Sequence, residues 1–142
     1  MKFIVYVSQA VSPFDTAELR QLLDRSRTRN TADGITGLLI YRYNDDYGRG
    51  NFLQVLEGPE ERIEDVWQRI ANDDRHHSII VIEEGRSEKR MFSDWSMGFK
   101  NVEDSDLRDF AGFADMGSDA FWRRAENSAL PEALDLLQSF YG

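Results

Sequence analysis

Two polar side chains interrupt apolar strand patterns in this sequence, and their chemistry is that of a hydrogen-bonding pair. Tyr6 carries a phenol in the first apolar segment, and Gln54 carries an amide between Phe52 and Leu56. A phenol and an amide can each donate and accept a hydrogen bond. A buried amide without partners costs about 1–3 kcal/mol. Gln54 therefore predicts one of three situations: core neighbours that satisfy it, an exposed strand face, or a polar ligand against it.

Each of these residues alone has a simple structural explanation. A tyrosine on an apolar strand usually packs with its hydroxyl at the rim of the core, and most buried amides find protein partners. Together they indicate more, because the strands that hold them are expected to be central neighbours in the predicted sheet. Tyr6 and Gln54 could then meet on one face and present an O–H group and an amide to one ligand.

Several other polar residues could assist such a ligand or only solvate the surface. Arg25 and Arg29 lie four residues apart at the end of a predicted helix, where the helix dipole favours cations, although they could also hold phosphates. Asn30 follows at a position where asparagine often caps a helix. The loop from Asp73 to His77 lacks the spacing of helical metal ligands, so it is interpreted as a solvated loop and no metal site is predicted.

Composition excludes several classes of function. The chain has 142 residues, no cysteine and a formal net charge of −9. This acidic balance argues against nucleic acid and anionic membranes as main partners, because phosphate binding demands Lys and Arg. No apolar run approaches the ~18 residues of a membrane span, and the lack of cysteine and of a targeting signal predicts a cytoplasmic protein. Motifs for phosphate loops, dinucleotides, serine hydrolases and zinc proteases are missing, so no enzyme is predicted.

The elements that must position these residues alternate between strands and helices. The apolar patterns predict strands over residues 2–8, 35–41, 52–56, 78–84 and 91–99. One helix begins after an N-cap at Asp15, where Glu18 completes a capping box. It fades near Asn30. A second helix follows Gly58, with Pro59 at its first helical position.

This order is β-α-β-β-α-β with one extra strand. Right-handed crossovers place both helices on one face, which predicts a ferredoxin-like α+β sandwich with a five-stranded mixed sheet. Helical patterns beyond Lys100, strongest over Pro131–Tyr141, predict C-terminal helices that pack on the other face. Apolar residues at the end of this tail predict a homo-oligomer. They are Leu134, Leu137, Phe140 and Tyr141.

Six short segments, in this order and at this spacing, resemble the BLUF domain, a sensor of blue light that uses flavin. They are Phe3–Ala10, Arg29–Asn30, Gly34–Leu39, Phe52–Pro59, Asp74–His76 and Arg90–Met97. Each segment is weakly specific alone, but the set is highly specific. The resemblance implies a flavin-binding photosensor domain over residues 1–99. It also implies a C-terminal helical extension, residues 100–142, that serves output or oligomerisation.

The resemblance further implies a noncovalent FAD whose ring lies between the two helices. By motif, Tyr6 is the electron donor and Gln54 is the amide that switches its hydrogen bonds under light. Asn30 is expected to bind the carbonyl edge of the ring, and Arg75 and His76 are expected near its pyrimidine end. The implied protein is a photoreceptor and not an enzyme.

The remaining pocket residues are assigned less directly. Ser8 and Trp95 are expected to line the pocket, and Met97 competes with Trp95 for the place next to Gln54. Arg29 occupies a position that varies in the family, so its assignment to the diphosphate rests on its charge. The signal is expected to spread from Gln54 through the fifth strand and the C-terminal helices to a partner protein.

One departure from the family concerns the connection from Tyr43 to Gly50, which is predicted as an eight-residue hairpin loop where the family has a tight turn. It lies away from the expected flavin ring. The longer connection therefore bears on contacts with a partner more than on photochemistry.

Two other functions stay open at this point. The chain could be a flavin-free interaction module that kept the fold, but the joint presence of the five pocket residues counts against it. These are Tyr6, Asn30, Gln54, Trp95 and Met97. It could also be a ferredoxin-like enzyme that acts on a small molecule, of the cofactor-independent oxygenase or acylphosphatase kind. The first strand is not followed by an anion-binding arginine loop, which argues against an acylphosphatase.

Overall fold

The fold is seen in a computed structural model that describes residues 1–44, 48–93 and 95–101. The elements in these ranges are β1 (Lys2–Ala10), α1 (Thr16–Asp33), β2 (Thr36–Asn44), β3 (Arg49–Gly58), α2 (Glu60–Ala71), β4 (His76–Arg86) and β5 (Gly98–Asn101). The predicted C-terminal helices and their apolar end lie outside the described residues. Within the described part, neither helix has the length and apolar character to span a membrane.

The five strands form one sheet in the order β4-β1-β3-β2-β5. Neighbouring strands are antiparallel except for β2 and β5, which are parallel. The predicted α+β architecture with a five-stranded mixed sheet is thereby confirmed. β1 and β3 are adjacent, and their register sets Tyr6 opposite Gln54. On its other side, Gln54 lies opposite Leu39 of β2.

Capping residues close to each helix in sequence set the ends of α1 and the start of α2. The Asp15 side chain accepts a hydrogen bond from the Glu18 N–H, and the Glu18 side chain accepts one from the Asp15 N–H, so the predicted capping box is confirmed. α1 extends to Asp33, past the predicted end near Asn30. It ends there because Gly34 adopts a left-handed conformation (φ 71°) and caps the helix. Pro59 is the N-cap of α2, one residue before its predicted place.

Both faces of the sheet are buried. The face that packs on α1 and α2 carries Tyr6 and Gln54 among apolar neighbours. These neighbours include Ile4, Leu39 and Leu56 from the strands, with Leu19, Leu23, Ile63 and Val66 from the helices. The second face carries a separate buried set from β1, β2 and β3. Its members are Val5, Val7, Leu38, Ile40, Leu53 and Val55.

The predicted fifth strand is wrong over most of its length. Strand structure was predicted over residues 91–99, but β5 comprises only Gly98–Asn101. The Phe92 and Met91 N–H groups bond to a side chain, and the Trp95 N–H bonds to the Phe92 carbonyl. Main-chain groups used in this way cannot join a ladder. The described residues of segment 91–97, which are 91–93 and 95–97, therefore lie outside any strand, and Trp95 and Met97 do not share a strand face.

The connection between β2 and β3 is shorter than the predicted eight residues. The ladder continues to the pair Asn44 and Arg49, which leaves four residues between the strands. β4 is likewise longer than the predicted span of 78–84. Both errors have one cause, since backbone pairing continues through polar side chains that end an apolar pattern.

Candidate functional site

A buried chain of three side chains lies at the centre of the sheet. The Tyr6 hydroxyl donates a hydrogen bond to Gln54 Oε1, and Gln54 Nε2 donates to the Met97 sulfur at 3.3 Å. The exposed fractions of the three residues are 4%, 5% and 1%. The prediction that Tyr6 and Gln54 meet on the helix-covered face is confirmed. Because the amide uses its oxygen toward Tyr6 and its nitrogen toward Met97, a rotation of this amide would exchange both bonds.

The surroundings of Tyr6 keep its phenol protonated. Burial raises the pKa of Tyr6 above its ordinary value, and the negative charge of Asp73 raises it further. The Trp67 ring meets the Tyr6 ring edge-on, with 5.1 Å between centroids. A phenol in this state donates its proton to Gln54, so removal of an electron from Tyr6 would favour movement of that proton along the existing hydrogen bond.

A cavity of about 430 Å³ opens between α1, α2 and the sheet, and Tyr6, Asn30 and Gln54 are among its lining residues. Its volume is within the range of small-molecule sites. Apolar side chains form much of the wall. They include Phe14, Leu22, Leu39, Phe52, Leu56, Val66 and Ile70. The cavity thus suits a ligand with an apolar body whose polar edge reaches Gln54 and Asn30.

Charged side chains also line this cavity. Arg25, Arg29 and Arg69 contribute cations. Arg75 is paired with Asp73, and Arg75 Nε lies 2.9 Å from Asp73 Oδ1. The hydrogen-bonded guanidinium of Arg75 lowers the pKa of the Asp73 carboxyl. Arg75 therefore has its charge engaged by Asp73, whereas Arg29 is an exposed cation at the cavity.

Asn30 is buried, and its side chain does not cap α1. Its Nδ2 donates to the Ser96 carbonyl at 2.7 Å, while its main-chain carbonyl accepts from the N–H groups of Gly34 and Ile35. Arg27, on the same helix, donates from Nε to the Met97 carbonyl at 2.8 Å. Helix α1 thus holds the end of the irregular segment 91–97 next to the cavity.

His76 lines the cavity with a defined orientation. Its Nε2 lies 2.6 Å from the Ile70 carbonyl oxygen, which can only accept, so Nε2 carries the proton. Its Nδ1 lies 2.8 Å from Ser8 Oγ and accepts the hydroxyl proton when the ring is neutral. Ser8, which was expected to line the pocket, is not among the described lining residues and instead contacts His76.

Of the two residues expected near Gln54, the structure places Met97 against it. Neither Met97 nor Trp95 is among the described residues that line the cavity. The Trp95 ring stacks on Phe92 with 6.5 Å between centroids. It also covers Gly98 so closely that a Cβ there would lie 2.1 Å from Trp95 Cε3. Trp95 is therefore not brought to Gln54, although it had been expected to line the pocket.

Sequence reasoning missed Glu57. It is buried on the second sheet face, and its carboxylate accepts hydrogen bonds from the Met91 and Phe92 N–H groups and from the Thr36 hydroxyl. The alternation that singled out Gln54 could have found it, because Glu57 shares a strand face with Leu53 and Val55. An acid on such a face demands buried partners.

Comparison with known proteins gives consistent matches. The family model described as BLUF, sensors of blue-light using FAD, matches residues 1–98. A photoactivated adenylate cyclase subunit beta from Euglena gracilis is 28% identical over 95 residues, which is 66% of this chain and 10% of that protein. The chain therefore spans about a tenth of the length of this curated relative.

Solved structures match the chain over a longer stretch. The dark-state structure of BlrB, a BLUF protein, is 27% identical with a TM-score of 0.71, and the match covers 97% of this chain and 92% of BlrB. Klebsiella pneumoniae BlrP1 with FMN and cyclic diGMP is 26% identical with a TM-score of 0.63, and the match covers 92% of this chain and 35% of BlrP1.

Proposed function

Since the chain belongs to the BLUF family of blue-light sensors, we propose that Tyr6, Gln54 and Met97 form its light switch. The family senses blue light with flavin, and the match to BlrB, a BLUF protein, covers 92% of that chain. The observation that carries the proposal is the bond from Tyr6 to Gln54 at a cavity of suitable size.

The residues at the cavity fit a flavin. A flavin has an apolar ring body with carbonyl and N–H groups along one edge. The apolar wall from Leu39, Leu56 and Val66 suits the body, while Gln54 and Asn30 offer amides to the edge. When bound and excited by blue light, a flavin supplies a strong oxidant. The protein's own part is to provide an electron, move a proton and keep the resulting hydrogen-bond pattern.

Tyr6 and Gln54 perform these steps in sequence. Tyr6 gives up an electron, and its phenolic proton passes along the hydrogen bond to Gln54 Oε1. Return of the electron and proton leaves Tyr6 restored and the Gln54 amide rotated or in its other tautomer, so there is no net chemistry. The amide then presents a different donor to the ligand, and its former bond to Met97 is lost. This loss would release the segment 91–97, which leads directly into β5.

The cofactor is proposed to be FAD rather than FMN. The family description names FAD, although one structural neighbour is shown with FMN. Arg29 is an exposed cation at the cavity, next in sequence to Asn30, and Arg25 lies one helical turn away on α1. This pair suits the phosphates of a ligand whose ring edge reaches Asn30. Arg75 contributes less, because Asp73 engages its charge.

The decisive experiment is a visible absorbance spectrum of the purified protein before and after a blue flash. We expect a flavin spectrum that shifts slightly to the red and relaxes in the dark. Chromatography of the flavin released by denaturation should identify FAD, and riboflavin alone would contradict the phosphate role of Arg29. A flavin spectrum that does not shift would refute the switch. A colourless protein, even after reconstitution with FAD, would favour the flavin-free interaction module.

Output is proposed to run through residues 100–142 to a partner protein, in a homo-oligomer. The buried apolar set on the second sheet face includes Leu38 and Ile40 of β2, the strand that pairs with β5. β5 in turn leads into the tail, so a change at Met97 reaches the tail by direct continuity of the chain. Proximity alone does not establish coupling between the switch and the tail, so the coupling has to be measured.

The oligomeric state is the accessible test of the tail. Light scattering of the full chain is expected to give a multiple of its 16.5 kDa mass. The Leu137→Glu variant should reduce this to the monomer mass while the flavin spectrum stays unchanged, because a charge cannot remain in an apolar contact without a partner. A monomeric wild-type protein would contradict the proposed oligomer.

A further inference from the structure

The irregular segment 91–97 carries the Met97 sulfur to Gln54, yet none of its described residues, 91–93 and 95–97, lies in a strand. In the middle of the segment, the Gly37 N–H of β2 donates to the Trp95 carbonyl at 3.0 Å. Its position must therefore come from specific bonds. One group of bonds acts at its end, where Asn30 and Arg27 of α1 hold the carbonyls of Ser96 and Met97. A second group acts at its start, and all of its bonds converge on one side chain, Glu57.

The Glu57 carboxylate is surrounded by donors. Met91 N donates to Oε1 at 2.7 Å, Phe92 N donates to Oε2 at 2.9 Å, and the Thr36 hydroxyl donates to Oε2 at 2.9 Å. Only 1% of Glu57 is exposed. Hydrogen bonds to an ionised acceptor are short and strong. Two consecutive main-chain amides held by one buried carboxylate leave the start of the segment little freedom.

Arg90 reinforces this anchor without lying on the cavity. Its Nη1 donates to Thr36 Oγ1 at 2.9 Å, and its Nη2 donates to the Gly34 carbonyl at 2.7 Å. The Thr36 hydroxyl thus accepts from Arg90 while it donates to Glu57, which links the cation to the carboxylate. Neither Glu57 nor Arg90 is among the described residues that line the cavity.

The two anchors differ in their relation to the ligand. Asn30 lines the cavity, so the anchor at the end of the segment shares a side chain with the ligand site. Glu57 is on the opposite sheet face from Gln54, three residues along β3. The anchor at the start is therefore independent of the ligand, and it can serve as the fixed point about which the segment moves.

We propose that Glu57 is a positioning residue of the light switch, whose buried carboxylate fixes the start of segment 91–97 and so places the Met97 sulfur against the Gln54 amide. This inference rests on the proposed switch at Gln54. It also explains why Met97, and not Trp95, contacts Gln54. With Met91 and Phe92 held, the Trp95 N–H bonds to the Phe92 carbonyl and the Trp95 ring stacks on Phe92, so that Met97 is the side chain that contacts Gln54.

The test is the Glu57→Gln variant of the flavin-loaded full chain, with Glu84→Gln as the matched control. Glu84 is an exposed glutamate of β4, so its substitution makes the same chemical change away from the segment. A glutamine at position 57 offers one acceptor atom instead of two and turns an NH₂ group toward a main-chain donor. We expect flavin binding to persist. Dark recovery should slow about tenfold, because Met97 would return to Gln54 without one charge-assisted hydrogen bond that positions its segment.

The readout that a merely structural role would not move is the dark-state NMR resonance of the Met97 methyl group. The chain has 4 methionines, so methyl-labelled protein gives few signals, and Met97→Leu identifies the one needed. We expect the Met97 signal to shift by more than its linewidth in Glu57→Gln and to stay in place in Glu84→Gln. A folded Glu57→Gln protein with an unchanged Met97 signal and wild-type recovery would overturn the inference.

Failure of the proposed switch and misfolding of the variant can each be distinguished from failure of this inference. The methyl signal needs no light, so it tests the placement of Met97 by Glu57 even if the wild-type protein shows no red shift and the proposed switch fails. If Glu57→Gln does not fold, Thr36→Val removes one donor to the carboxylate and should move the Met97 signal less, in the same direction. An unmoved signal in a folded Thr36→Val protein would then overturn the inference.

Discussion

The Tyr6→Phe variant is expected to bind flavin as the wild-type protein does and to lose the light-induced red shift completely. The substitution removes only the hydroxyl that donates to Gln54, and the ring can keep its edge contact with Trp67. Without that hydroxyl, no proton can leave along the hydrogen bond, and a phenyl ring is a much poorer electron donor than a phenol. The measurement is the difference spectrum after a blue flash.

The matched control for this variant is Tyr43→Phe. Tyr43 is an exposed tyrosine of β2, so this variant loses a phenol without touching Gln54. Its red shift and recovery should equal those of the wild-type protein. A red shift that persists in Tyr6→Phe would show that another group supplies the electron, and the proposed role of Tyr6 would be wrong.

The protonation state of Tyr6 gives this prediction a pH dependence. Burial, aided by Asp73, raises the pKa of Tyr6 above the ordinary value of 10.0, so the folded protein keeps the phenol protonated beyond that pH. The amplitude of the red shift should therefore not fall as the pH rises toward 10 while the protein stays folded. A loss of amplitude with a midpoint near neutral pH would indicate a different titrating group.

The Gln54→Leu variant is the second change with a large expected effect. Leucine has a similar size but cannot accept the Tyr6 proton or donate to Met97, so the red shift should be absent. The variant should also unfold more easily, because the Tyr6 hydroxyl is left buried without its partner, at a cost of about 1–3 kcal/mol. Flash spectroscopy and urea unfolding measure the two effects separately.

Gln21→Leu is a suitable control, since Gln21 is an exposed residue of α1. It should change neither the red shift nor the urea midpoint appreciably. If Gln54→Leu kept a normal photocycle, Gln54 would be removed from the switch. If the spectrum were silent but the stability unchanged, the Tyr6 hydroxyl must have found another partner, and the buried pair would contribute less than its geometry indicates.

The sequence alone predicted the pair at the centre of the site. Tyr6 and Gln54 each broke an apolar pattern of period two, and the order of strands and helices placed their strands side by side. The sequence also predicted the capping box at Asp15, because the two residues that form it lie three positions apart. Such features depend on neighbours in the chain, and local patterns report them.

The sequence did not predict the conformation of the segment before β5. Trp95 and Met97 alternate with polar residues in a way that predicts a strand face, yet none of the described residues between 91 and 97 lies in a strand. The groups that hold this segment come from distant elements: Glu57 lies 34 and 35 residues before its two amide donors, and Asn30 lies 66 residues before Ser96. No pattern within the segment could reveal them.

What the sequence determined, then, is which chemistry is present and on which face of which strand it lies, because strand periodicity and capping are set by adjacent residues. What only the tertiary structure decided is which side chain completes that chemistry. Met97 rather than Trp95 contacts Gln54, and the bonds that place it come from distant elements: from Asn30 and Arg27 of α1, from the Gly37 N–H of β2, and from the buried Glu57 carboxylate on the far face of β3. The cost of leaving that carboxylate without partners in the core is what makes its distant bonds obligatory.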